Sequence, residues 1–158
     1  MIKIMFVCHG NICRSPSAEI IMRDMLKKAR LDDRVEVASS ATSTEEIWNG
    51  IGNPVYPPMA AELKRHGLDP SGKRAVQLKK EDYDKYDLFI GMDSANIRNM
   101  TRIFGSDPHN KIRKLMEYTS KGGDVADPWY SGNFDLTFRD VSDGCYELMK
   151  IIKEQVVS

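Results

Sequence analysis

The run Ile2-Lys3-Ile4-Met5-Phe6-Val7-Cys8-His9-Gly10-Asn11-Ile12-Cys13-Arg14-Ser15-Pro16 decides the fold. Ile2 to Val7 is a short apolar run rich in strand formers and reads as a buried strand. From Cys8 to Ser15 the chain turns polar and contains Gly10. Beyond it, Ala18, Ile21, Met22, Met25, Leu26 and Ala29 recur at helical spacing. Ser15 followed by Pro16 reads as an N-cap with Pro at the first helical position, and Glu19 is a favourable acid near that end. The order is strand, polar loop, helix.

The rest of the chain repeats this alternation. Val35 to Ala38 reads as a second strand, and Ser39 to Pro58, rich in Ser, Thr, Gly, Asn and Pro, as a long surface loop carrying Trp48. Met59 to His66 reads as a helix ended by Gly67. Asp87 to Gly91 is a third strand, with Asp93 or Ser94 capping the helix that carries Ile97 and Met100. Lys111 to Met116 is a fourth strand. Gly122 to Gly132 is loop, and Phe138, Val141, Cys145, Leu148, Met149 and Ile152 give a closing amphipathic helix. The prediction is a three-layer α/β fold, with four parallel strands and helices on both faces, as in Rossmann-like proteins. No linker or repeat divides the chain, so residues 1–158 are expected to form one domain. Ligands in such folds bind at the carboxyl ends of the strands.

Composition narrows the function. The 23 Lys and Arg balance 23 Asp and Glu, which argues against a nucleic-acid partner. No apolar run reaches the roughly 18 residues of a membrane span, so no membrane insertion is expected. The N-terminus lacks a signal-peptide pattern. Cys8, Cys13 and Cys145 are too few for a disulfide framework. The cytoplasm is the expected location. No Cys or His pair has zinc spacing, and neither a metal nor a cofactor is expected.

Chemistry concentrates in the first loop. Five residues separate Cys8 from Arg14. A phosphate monoester needs several donors around its oxygens, and a loop opening into a helix aims backbone amides at one point. Arg14 can hold two oxygens bidentately. The field that holds phosphate also favours a thiolate at Cys8, to which Ser15 can donate. Gly10 and Asn11 suit a left-handed or strained backbone. Asp127, in Asp127-Pro128-Trp129-Tyr130, is a candidate proton donor in a Gly-flanked loop, although Asp-Pro is also a common turn starter. Trp48, Trp129 and Tyr130 are either ordinary surface aromatics or the walls of a slot for a phenyl ring.

Together, Val7 to Pro16 and Asp127-Pro128-Trp129-Tyr130 resemble the low molecular weight protein tyrosine phosphatase family, as do Ser39-Ser40-Ala41, His66-Gly67 and Met92-Asp93. The resemblance covers essentially the whole chain. It implies the phosphotyrosine phosphatase I-like fold and a phosphotyrosine-bearing protein as substrate, hydrolysed through a phosphocysteine. It implies Cys8 as nucleophile, Asp127 as acid and then base, and Arg14 with the amides of His9, Gly10, Asn11, Ile12 and Cys13 as the cradle for phosphate or another oxyanion. It further implies that Asn11 and Ser40 hold the loop in shape, that Ser15 assists the departing thiolate, and that His66 supports the site. Cys13 would form a reversible disulfide with Cys8; a packed helix-start thiol is the equal alternative. The chain departs from the family at His9, where Leu, Thr or Met is common. It departs again at Gly72, near which many members carry a second His, and at Trp129, where Tyr is common.

Two other enzymes use a similar scaffold. A protein arginine phosphatase tends to carry Thr where Ile12 stands and lacks the aromatic pair after Asp-Pro. A thiol-dependent arsenate reductase needs relay cysteines, and none lies between Cys13 and Cys145. A non-catalytic phosphotyrosine-binding module would have no need of Cys8, Arg14 and Asp127 together.

Overall fold

The structure, a computed structural model, describes residues 1–157. In chain order the elements are β1 (Ile2–Cys8), α1 (Arg14–Lys28), β2 (Val35–Ala41), β3 (Ile47–Trp48), β4 (Ile51–Gly52), α2 (Pro57–Arg65), β5 (Leu88–Gly91), α3 (Ser94–Phe104), β6 (Ile112–Lys114), α4 (Pro128–Ser131) and α5 (Phe134–Val157). Two 3₁₀ turns, Lys80–Asp84 and Leu115–Tyr118, complete them.

β1 is central because both of its faces are apolar. Ile4, Phe6 and Cys8 face one core with α1 and α5, while Met5 and Val7 face a second core with Phe89, Met100 and Phe104. The strand order is β2-β1-β5-β6, all pairs parallel. Helices therefore cover both faces, as a parallel sheet requires. The register sets Phe6 opposite Ser39, Val7 opposite Ser40 and Cys8 opposite Ala41. Among the described residues no helix is long and apolar enough to cross a membrane.

Several boundaries differ from the sequence expectation. β2 runs to Ala41, three residues past Ala38, because Ser39, Ser40 and Ala41 continue the ladder with β1. The expected long loop contains the β3–β4 hairpin, turned by Asn49 and Gly50, both at positive φ. The fourth strand is short and passes into the 3₁₀ turn at Leu115. α1 begins at Arg14, with Cys13 as its N-cap and no side-chain cap bond. Ser15 does not cap it, because its hydroxyl is turned into the loop. Asp93 does cap α3, accepting from Asn96 N at 2.8 Å. Gly67 takes the left-handed conformation after α2, at φ 77°.

Candidate active site

The carboxyl ends of β1, β2 and β5 meet above the N-terminus of α1. There the chain forms a pocket of about 530 Å³. Cys8, His9, Gly10, Ile12, Cys13 and Arg14 line it from the first loop, and Asp127, Trp129 and Tyr130 line it from the segment around α4. Segments far apart in sequence thus converge on one opening, where ligands bind in open α/β sheets.

Cys8 is buried at the end of β1. Its Sγ lies 3.0 Å from Ser15 Oγ, and the Asn11 amide points at it from 3.3 Å. The first amides of α1 lack helical acceptors, so this end of the helix presents positive potential to the pocket.

Asn11 holds the loop. It stands at φ 58°, a left-handed conformation that Asn tolerates better than most residues, and is 1% exposed. Its Nδ2 donates to Ser15 Oγ at 2.7 Å and to Ser39 Oγ at 2.9 Å, while its Oδ1 accepts from Val76 N at 3.0 Å. Ser39 in turn donates to Glu19 Oε1 at 2.6 Å. Lys73 Nζ lies 3.3 Å from the same carboxylate and donates to Ser39 O, and Arg23 holds the other oxygen at 2.7 Å. Glu19 is therefore a buried anchor with two cations, more than a dipole-favouring acid on the surface. Gly10 does not stand at positive φ among the described residues. A Cβ there would lie 3.1 Å from Glu46 Cγ, so its smallness admits the neighbouring segment.

Arg14 is 5% exposed. Its Nη1 donates to Asp93 Oδ2 at 2.9 Å and to Val125 O at 3.4 Å, and Nη2 lies 3.7 Å from Asp127 Oδ2. Burial works against its charge, but Cys8, Asp93 and Asp127 outweigh burial and hold the guanidinium above its ordinary pKa. Cys13 is the opposite case. Burial pushes its thiol up, and the neighbouring Cys8 adds to this more than Arg14 offsets. Asp127 caps α4, its Oδ1 accepting from Trp129 N at 3.0 Å. Trp129 and Tyr130 stand exposed at the mouth, and Trp129 packs against Tyr56 with ring centroids 5.4 Å apart. The Tyr56 amide donates to Ile12 O at 2.8 Å, tying the start of α2 to the loop.

Three expected site residues lie elsewhere. Ser40 Oγ is buried and makes no hydrogen bond among the described residues; the bond to Asn11 belongs to Ser39. The alternation of β2 explains this, since Ser39 shares the face of Phe6 and Cys8 whereas Ser40 points the other way. Trp48 stands 79% exposed in the hairpin and does not line the pocket. His66 bonds Glu62 Oε2 at 2.9 Å and stacks on Phe138 at 3.8 Å, bracing α2 against α5 away from the pocket lining. Glu62, His66 and Asp135 bring ligand-capable atoms within 4.8 Å of one another, a grouping that sequence spacing did not reveal. Glu62 there is already engaged by Arg65 and His66. Sequence reasoning missed Asp93 as the partner of Arg14, having given it only a capping role. It also missed Tyr56 and the Glu45–Glu46 edge of the pocket, which carry no recognisable local signal.

Comparison with known proteins agrees with this geometry. A family model described as low molecular weight phosphotyrosine protein phosphatase matches residues 3–158. The low molecular weight protein-tyrosine-phosphatase YfkJ of Bacillus subtilis is 35% identical over 157 residues, covering 98% of both chains. Its crystal structure superposes with a TM-score of 0.91, covering 98% of this chain and 96% of that one. A protein tyrosine phosphatase from Entamoeba histolytica, solved with Hepes in its active site, is 25% identical with a TM-score of 0.87, covering 98% and 99%. The matches span nearly the whole chain, and the chain belongs to the low molecular weight phosphotyrosine protein phosphatase family.

Proposed function

We propose that the protein hydrolyses the phosphate ester of tyrosine side chains in two steps. The Cys8 thiolate attacks phosphorus and the bond to the aryl oxygen breaks, while the Asp127 carboxyl gives that oxygen its proton. Water then attacks the phosphocysteine, Asp127 takes its proton, and the phosphorus–sulfur bond breaks to release inorganic phosphate. Ser15 donates to the departing sulfur. Arg14 and the loop amides hold the three phosphoryl oxygens, with donors already oriented before the reaction. Trp129 and Tyr130 flank the phenyl ring at the mouth.

One observation carries this reading: Cys8, Arg14 and Asp127, from separated parts of the chain, share one pocket, and Arg14 lies 3.7 Å from Asp127. The reading takes 1–158 as one phosphatase domain, and the family match over 3–158 supports it. It includes binding of phosphate and related oxyanions in the loop, supported by the helix terminus behind it. A cytoplasmic location is supported by three free cysteines in a chain of this size. Redox gating is supported by Cys8 and Cys13 lining the same pocket. Peroxide would oxidise Cys8 to a sulfenic acid, which condenses with the Cys13 thiol to a disulfide and water.

The decisive experiment compares phosphotyrosine, phosphoserine and phosphoarginine peptides with the purified protein. Turnover of the first alone is expected, and preference for phosphoarginine overturns the substrate assignment. Cys8→Ser should abolish turnover of an aryl phosphate while retaining phosphate binding by calorimetry. Asp127→Asn should slow hydrolysis most for poor leaving groups. Full activity of that variant on phosphotyrosine would remove Asp127 from its role.

A further inference from the structure

The pocket mouth carries a charge asymmetry that phosphate chemistry does not use. Glu45 and Glu46 line one edge. The segment that bears them is fixed to the loop beneath it. Thr42 N donates to Cys8 O and Ser43 N to His9 O, each at 3.0 Å. His9 Nε2 lies 3.0 Å from Glu45 Oε2, and the Glu46 stem packs over Gly10. Asn53 N donates to Glu46 O at 2.8 Å, and Ile47 N to Thr44 O at 3.0 Å. The edge is therefore positioned by the same backbone that positions Cys8.

The remaining lining offers little to offset its charge. Ala95, Asn96 and Asn99 are neutral, and Asp127 adds another carboxylate beside Trp129 and Tyr130. Arg14 is the lining cation with a permanent charge, and it is buried between the carboxylates of Asp93 and Asp127. His9, about half exposed, is already paired with Glu45. A phosphotyrosine side chain enters with its dianion on the loop, so the residues before and after the tyrosine cross the mouth. There they meet the acidic edge and two exposed aromatics.

We propose that Glu45 and Glu46 are specificity-determining residues that select phosphotyrosine segments flanked by Lys or Arg and disfavour segments flanked by Asp or Glu. This inference rests on the phosphatase reading above. The selection acts on peptide context and not on the reacting bond. Rim pairs in water are each worth roughly 2- to 5-fold, which sets the expected discrimination between Lys-flanked and Glu-flanked peptides at roughly tenfold in kcat/KM. The preference should shrink with salt, because the screening length falls from about 10 Å at 0.1 M to about 3 Å at 1 M.

The test uses three phosphotyrosine peptides of equal length, with Lys, Gln or Glu on both sides of the tyrosine, assayed by phosphate release at low ionic strength. The order Lys, Gln, Glu is expected for the wild type. In Glu45→Gln/Glu46→Gln the spread should collapse below about twofold, and in Glu45→Lys/Glu46→Lys the order should invert, in line with the value of exposed pairs. Equal rates on the three peptides in the wild type overturn the inference and leave the phosphatase reading intact. So does a preference that survives in both variants. Failure to hydrolyse any of the three overturns both.

Discussion

Replacing Asn11 by Ala removes three hydrogen bonds at once and puts a Cβ residue without a compensating side chain at φ 58°. Ser15 Oγ keeps Cys8 and Ser39 Oγ keeps Glu19 as partners, so neither hydroxyl is orphaned. Only the Val76 amide loses its side-chain acceptor outright. At about 1 kcal/mol per bond the three contribute about 3 kcal/mol. The left-handed backbone adds about 1 kcal/mol for Ala. The expected destabilisation is therefore about 4 kcal/mol, a large part of the roughly 5–15 kcal/mol that stabilises a typical domain. For a chain of this length that lowers Tm by roughly 8–16 °C. Urea denaturation measures the stability, and steady-state hydrolysis of an aryl phosphate measures the consequence for the loop. kcat should fall with it, because Asn11 fixes both the Ser15 hydroxyl and the amide aimed at Cys8. Asn11→Gly makes the control: it loses the same bonds but not the backbone preference, and should recover about 1 kcal/mol relative to Ala. A loss under about 1 kcal/mol in the Ala variant, with kcat within about twofold, would refute the idea that this side chain holds the loop.

Two further predictions concern charges. Asp93→Ala removes a charge-assisted bond from buried Arg14 and should cost roughly 10- to 100-fold in kcat/KM for an aryl phosphate, whereas Asp93→Asn, which can still accept, should cost less. Activity of Asp93→Ala equal to wild type would show that Arg14 is positioned without it. Glu62 is 3% exposed. Burial alone would raise its carboxyl, but Arg65 and His66 overcome burial and hold it below the ordinary range. A carboxyl lowered in the folded state contributes stability above its unfolded pKa and loses it as pH falls through the folded value. The stability gap between wild type and Glu62→Gln should therefore be full at neutral pH and close as pH drops below about 4. A pH-independent gap in urea midpoints would contradict this.

What could be read from the sequence follows from how local each feature is. The strand, loop and helix from Ile2 to Leu26 are contiguous, so periodicity and loop polarity reveal them directly. Ser39 and Ser40 are a different case. Two adjacent serines are equivalent in a string, and only the pairing of β2 with β1 decides which faces Asn11. A shift of one residue exchanges the faces of a strand. Asp93 carries a strong capping signal, and it does cap α3, yet its other oxygen holds Arg14. A local role thus concealed a distant one. A large aromatic such as Trp48 fits a slot wall or an open surface equally well in a string, and the hairpin turns it to solvent. Glu19 reads locally as a favourable acid near the start of α1, and the sequence does not show its second cation, Lys73, which lies far along the chain.

The bonds that hold the nucleophile loop also bear on how the protein acquires activity. Asn11 reaches residues 28 and 65 positions away, and Arg14 reaches residues 79 and 111 positions away. Contacts of such sequence separation carry a large loop-closure entropy and form after local structure. Strand β1 and helix α1 can assemble early without a working pocket between them. During refolding, helical signal should therefore recover ahead of turnover, and a chain still being synthesised would remain catalytically silent until the segment bearing Val125 and Asp127 has docked.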